Sequence, residues 1–420
     1  MQLKFFSTNT LKNSVVTLSG TLITGALGAL FYIILARVLG PEKFGLLSIS
    51  VAVLTLVTDI ANLGTDSGLV RFVGQYIKED KLKAYRYLKL ILKIRLMSAL
   101  VVIILGWVLT PFIAVNVFQK ESLILPLRLA FLGVSGAQVF AFCLSSFQAL
   151  QIFSAWSLIQ ISTNSLRILI IFLLLIFARL DLISGFTIYI ILPIIGFFAS
   201  LLFLPIEFLR VKGEDTVLPS LFHYSKWIAL SVMIAAFSSR LGTFISGRLL
   251  SASQVGFYAA ASQLVIIVPQ IMRSLDTVFA PKMAQLQSKK ELKIYLKRTL
   301  ILVGVLCGLG LLASPVVLFL IPFIYGPAYT SSVPVLFMIL LLANLVFLLS
   351  VPLHNAVNYF FRKPQLFIYT SLLHLLVIGF LGWWLISLFG AMGAAITVLF
   401  SMILNLVIPA FWVVLKLRKD

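Results

Sequence analysis

The spacing of apolar runs constrains this chain more than any other feature. From Ser14 onward, stretches of about twenty predominantly apolar residues recur, and short polar segments that carry most of the charge separate them. As helix, about twenty residues match the hydrocarbon thickness of a bilayer. Twelve stretches qualify: 14–36, 44–64, 90–110, 122–147, 156–178, 183–208, 224–246, 255–275, 299–320, 331–352, 366–388 and 391–415. Breakers such as Gly40-Pro41, Pro126, Gly326-Pro327 and Gly390 punctuate them. Lipid offers the backbone no hydrogen bonds, so the expected fold is an all-α polytopic membrane protein of about twelve transmembrane helices.

Composition excludes the soluble alternatives. The chain is 61% hydrophobic and 11% charged, with mean hydropathy +1.11, whereas soluble domains are about a quarter charged. The formal net charge of +20 does not indicate nucleic acid, because the basic residues flank apolar runs and form no basic face. With the N-terminus inside, 25 Lys and Arg fall in inner segments and six in outer ones. This bias predicts a multi-pass protein of the cell membrane with both termini cytoplasmic. The run 14–36 exceeds a signal-peptide core and is read as an uncleaved first span. The basic segments around 71–95 and 276–298 read either as amphipathic helices on the anionic inner surface or as plain topology determinants. Cys143 and Cys307 sit in apolar runs as buried thiols, and His223, His354 and His374 show no ligand spacing. No metal, cofactor or nucleotide-binding loop is expected.

A shift of 211 residues places Arg37 on Arg248, Leu39 on Leu250, Gly45 on Gly256 and Arg71 on Lys282. Two lobes follow, 1–210 and 211–420, each with six spans and therefore inserted in the same orientation. Parallel repeats of this kind are related by a pseudo-two-fold axis along the membrane normal.

Polar groups inside spans are costly, so they mark function or pairing. Asp59, Asn62 and Asp66 share one helix face at i, i+3 and i+7. Gln270, Arg273 and Thr277 are their repeat counterparts, with Gln263 further along that stripe. Either these groups face a cavity, or they pair with one another near the cytoplasmic interface. Arg167, beside Asn164 in the run STNSLR, lies too deep to snorkel. Arg240 follows Ser238 and Ser239. Neither arginine has an acid in its own span, which suggests an anionic cargo such as a phosphate or acidic sugar. A structural ion pair is the competing reading. Gly304 and Gly308, four residues apart, and the GAMGAA run that starts at Gly390 are expected to permit close helix contact.

The stretch LARVLGPEKFGLLSISVAVLTLVTDIANLGTDSGLVRFVGQY resembles the first two helices of polysaccharide exporters, with their LGPxxFG turn and LGxxSxLVRF element. GRLLSASQVGFYAAASQL and VFAPKMAQL are similar to the corresponding region of the second half. The resemblance is to the lipid-linked oligosaccharide flippases of the multidrug/oligosaccharidyl-lipid/polysaccharide exporter superfamily, and it covers essentially the whole chain. It implies a V-shaped pair of six-helix lobes that alternate access. It also implies a polyprenyl-diphosphate-linked oligosaccharide as substrate, with Arg167 and Arg240 as its cationic contacts and a coupling ion, H⁺ or Na⁺. Glycosyltransferases and a polymerase of the same pathway are the implied partners. A multidrug/ion antiporter of that superfamily is the alternative, kept open by Asp59. An integral membrane glycosyltransferase or polymerase is disfavoured by the short, nearly uncharged outer loops.

Overall fold

Nine helical stretches among the described residues are long and apolar enough to cross a membrane. In this computed structural model the described residues are 8–363 and 365–418, and all their regular structure is helical. Two of the stretches, Ser19–Ala61 and Gln365–Arg418, reach 43 and 54 residues. At 1.5 Å per residue these are about 65 and 80 Å, roughly two bilayer crossings each. Both are broken at a glycine. Within α1 (Thr8–Ala61), Gly40 adopts φ 72°, ψ 173°, a backbone that only glycine enters without strain. Pro41 then opens the next helix with no amide hydrogen to lose.

The first half continues through α2 (Thr65–Tyr76), α3 (Lys81–Phe112), α4 (Ile124–Ala149), α5 (Phe153–Ile176) and α6 (Leu182–Ser200) to α7 (Leu218–Leu249). Next come α8 (Ala252–Leu264) and α9 (Ile267–Gln285), bent by 41° against each other, then α10 (Lys289–Tyr325) and α11 (Val333–Asn355). The last two elements are α12 (Gln365–Leu376), continued by a π turn at Val377–Leu381, and α13 (Gly382–Arg418), broken at Gly390. Every one of the twelve expected spans therefore has helix beneath it.

The chain packs as two compact units. One holds Leu46–Arg240 together with the chain before Gly40. The other holds Leu241–Asp420 together with Gly40–Gly45. The division falls inside α7 at Arg240, whereas the sequence suggested 210/211. Leu221 and Ser225 of α7 lie where a Cβ on Gly68 would be, which ties the first turns of α7 to α2. The first unit is built on Phe142, Phe147, Leu88, Ile91 and Phe208, and the second includes a cluster of Met283, Leu292, Leu296, Leu353 and Val413. Large apolar side chains such as Val108, Ile176, Leu312 and Phe380 point outward, as lipid-facing surface requires.

Within the second unit, Gly40–Gly45 lies against α8 with backbone on backbone. A Cβ on Gly45 would sit 1.8 Å from the Ala252 carbonyl oxygen, and one on Gly256 would sit 1.9 Å from that of Pro41. Under the 211-residue shift Pro41 becomes Ala252 and Gly45 becomes Gly256, so the two contacts exchange. Such reciprocity is the signature of an isologous contact. The same shift relates Gln151 (φ 60°) to Arg362 (φ 54°), two non-glycine residues in left-handed conformation just beyond helix ends.

The structure corrects two sequence expectations. The basic segments are not helices lying apart on the inner surface. The first forms the opening turns of α3, where Asp80 caps Lys83 and Tyr87, Leu88 and Ile91 are buried. The second opens α10 behind its cap Ser288. A Cβ on Gly304 or Gly308 would meet no neighbouring atom within 4 Å, so neither mediates a close contact, whereas one on Gly393 would run into the Leu385 carbonyl. Two of the histidines meet near Asn405. Pro409 cannot donate to the Asn405 carbonyl one turn back, and His354 Nε2 lies 3.0 Å from that oxygen. His374 Nδ1 contacts Ser401 Oγ and lies 3.4 Å from Asn405 Nδ2.

Candidate functional site

The first unit encloses a cavity of about 250 Å³ among its second span, α4, α5, α6 and α7. Its polar lining comes from Thr55, Thr58, Asp59, Arg167, Tyr189 and Arg240, and small residues of α4 (Gly133, Ala137, Ala141) leave the space. The two deep arginines and Asp59, picked out by sequence, share this one cavity. The candidates Asn62 and Asn164 are absent from its lining.

Arg240 is held on three sides. Its Nε donates to Thr55 Oγ1 at 2.9 Å, its Nη1 to the Ala236 carbonyl at 3.1 Å, and its Nη2 to Asp59 Oδ2 at 2.8 Å. The ion pair is half open, with side-chain exposures of 22% for Arg240 and 40% for Asp59. The sequence reading found no acid beside Arg240 because it compared residues within one span. The acid comes from another span, 181 positions earlier.

Arg167 has no such partner among the described residues. Its Nη1 donates to Asn164 Oδ1 at 3.0 Å, and Asn164 is itself pinned to the Gln160 carbonyl. The guanidinium lies 4.7 Å from the Tyr189 ring centroid and 5.4 Å from that of Phe31. Cation–π contact of this kind stabilises the charge without quenching it. Its Nε is buried and unbonded. Asn164 therefore orients the arginine rather than lining the cavity.

Asn62 and Asp66 belong to a separate network. Asp66 accepts from Asn62 Nδ2 (2.5 Å), Arg95 Nη2 (2.5 Å) and Ser145 Oγ. Arg95 Nε reaches Thr65 Oγ1 and its Nη1 the Gln138 carbonyl, both at 3.1 Å, with no part of the side chain exposed. Gln138 Nε2 in turn donates to the Thr58 carbonyl at 2.6 Å, which ties this network to the cavity wall. Here mutual pairing, the second reading of the Asp59 stripe, describes Asn62 and Asp66.

The remaining candidates lie in the second unit. Gln263 ends α8, with its Oε1 buried and unbonded. Gln270 and Arg273 lie on α9 beyond the bend, Gln270 half-buried and Arg273 exposed. The bend interrupts the continuous stripe that the sequence suggested. The side chain of Thr277 lies outside the described residues. A cavity of about 370 Å³ in this unit is lined instead by Gln254, Phe257, Ser331 and Ser332.

Sequence reasoning missed Arg95, Gln138 and Tyr189. By position Arg95 reads as the end of the basic segment before it. The apolar residues on both sides (ILKIRLMSAL) were the available signal that its surroundings are dry.

The family model described as polysaccharide biosynthesis protein matches residues 10–287. No curated protein matches the chain. Among solved structures, the fold is similar to an inward-facing multidrug resistance MATE family transporter of the MOP superfamily. That match has 12% identity, 96% of this chain and 98% of that one covered, and TM-score 0.74. The chain is also similar to the lipid II flippase MurJ in an inward closed conformation (14% identity, 95% and 87% covered, TM-score 0.73). A third likeness is to a MOP superfamily transporter from Pyrococcus furiosus described as having a binding pocket of reverse polarity (11% identity, 98% and 96% covered, TM-score 0.56).

Proposed function

The chain belongs to the polysaccharide biosynthesis protein family, and from that premise we propose that it is a flippase. It carries a polyprenyl-diphosphate-linked oligosaccharide across the cytoplasmic membrane, by alternating access, for cell-surface polysaccharide synthesis. The observation that carries this reading is the charge of the cavity. Two arginines and one aspartate line it, leaving one net positive charge, and Arg167 is the cation without a carboxylate. In a site of low dielectric, a guanidinium that keeps donors free is suited to phosphate oxygens. The ring of Tyr189, which lines the cavity beside it, offers an apolar surface to a sugar.

A multidrug antiporter is the second reading, supported by the half-exposed carboxylate of Asp59. Its weakness is that Arg240 already neutralises that carboxylate, so the cavity has no spare negative charge for a cationic drug. The positive-inside bias supports cytoplasmic termini. Pathway glycosyltransferases and a polymerase would supply and consume the cargo, and H⁺ or Na⁺ is the coupling ion.

The test is reconstitution into liposomes with a fluorescent polyprenyl-diphosphate sugar, scoring the fraction exposed to an external quencher. The expected result is protein-dependent exposure that Arg167→Ala lowers at least tenfold at equal incorporation. Protein-independent exposure, or full activity of that variant, sinks the proposal.

A further inference from the structure

Arg240 has two kinds of partner. Neutral groups (Thr55, Ser239 and the Ala236 carbonyl) hold its Nε and Nη1, and Asp59 engages Nη2. Loss of Asp59 would leave the guanidinium anchored and its Nη2 open to the cavity. Asp59 has no other hydrogen-bond partner among the described residues. It stays on Arg240 through one charge-assisted contact that water already reaches. Solvent screening leaves a half-exposed ion pair only a small net attraction. A contact that weak exchanges readily with an anion of higher charge and better fork geometry.

We infer that Asp59 is an internal competitor for the cavity's anion: it occupies Arg240 when the cavity is empty, and the cargo's phosphate oxygens displace it. The inference rests on the anionic-cargo reading above, and changes the role of Asp59 from cargo contact to rival. Displacement strands a carboxylate in a partly desolvated wall, where it takes a proton from water. The titratable or charged groups around it are Arg240 on α7, Arg167 on α5, Tyr189 on α6 and Asp66 on α2, and α4 adds none to the lining. Asp66 is itself held by Arg95. Proton and anion then favour each other's binding, and linkage makes the effect reciprocal. The sign is definite: lower pH neutralises Asp59, frees Arg240 and tightens anion binding. Return of the carboxylate as the proton leaves helps to expel the cargo.

The test uses the full chain in lipid nanodiscs with inorganic pyrophosphate as probe, at fixed pH and low salt, by calorimetry. Asp59→Asn is expected to tighten binding about fivefold, the equivalent of the ~1 kcal/mol pair it removes. Arg240→Gln and Arg167→Gln are expected to weaken it. A second arm titrates inorganic sulfate, whose charge is constant from pH 5.5 to 8. Wild-type affinity should rise as pH falls, and that of Asp59→Asn should stay flat. If neither arginine variant changes pyrophosphate binding, the anionic-cargo reading fails. If both weaken it while Asp59→Asn does not tighten it, the exchange alone is overturned. Should Asp59→Asn fail to fold, the wild-type sulfate profile decides, and a flat profile overturns the exchange.

Discussion

Arg95 on α3 and Arg167 on α5 sit in the same unit, yet they have opposite fates. All three guanidinium nitrogens of Arg95 are bonded, to Thr65, Gln138 and Asp66, and its side chain is wholly buried. Arg167 has one side-chain bond, two aromatic faces and an Nε with no partner. The difference shows that depth in the membrane does not by itself separate structural from functional cations. The separating property is saturation, meaning how many donors the fold has already used. Arg240 lies between the two, saturated on its protein side and replaceable on its cavity side.

The strongest way to break this comparison is to delete the saturated arginine. Arg95→Ala removes three bonds and leaves the Asp66 carboxylate without its cation, so a loss of about 3 kcal/mol is expected. It should appear as a large drop in thermal unfolding temperature, with Arg167→Ala near wild type in the same assay. Equal stability of the two variants would abolish the distinction. Ser145→Ala is a milder probe of the same network. Losing one hydrogen bond to a partly exposed carboxylate should cost about 1 kcal/mol of stability and leave pyrophosphate affinity unchanged. Tyr189→Leu should do the reverse, with little effect on stability. Without the ring beneath Arg167, pyrophosphate binding is expected to weaken about threefold, and Tyr189→Phe should bind as wild type.

The sequence discloses these regions unequally, for a physical reason. Span positions depend on composition over about twenty residues, and local composition is fully visible, so all twelve have helix beneath them. Arg167 and Arg240 were also legible, because charge inside an apolar run is a one-dimensional signal. The partners of that charge are not. Asp59 meets Arg240 across 181 positions and Asp66 meets Ser145 across 79, and nothing local in either stretch records the encounter. The basic segments were misjudged for a related reason. An amphipathic face that packs on protein has the same periodicity as one that lies on lipid headgroups, and only the buried Tyr87 and Leu88 distinguish them.

The seam at Gly40–Gly45 has a consequence for dissection. Because that hexapeptide packs with Leu241–Asp420 while the chain on both sides packs with the other unit, the polypeptide passes between units at 39/40, again at 45/46, and finally inside α7. The units are thus laced rather than strung. A fragment ending at Arg240 therefore still carries Gly40–Gly45, the hexapeptide that packs with the second unit.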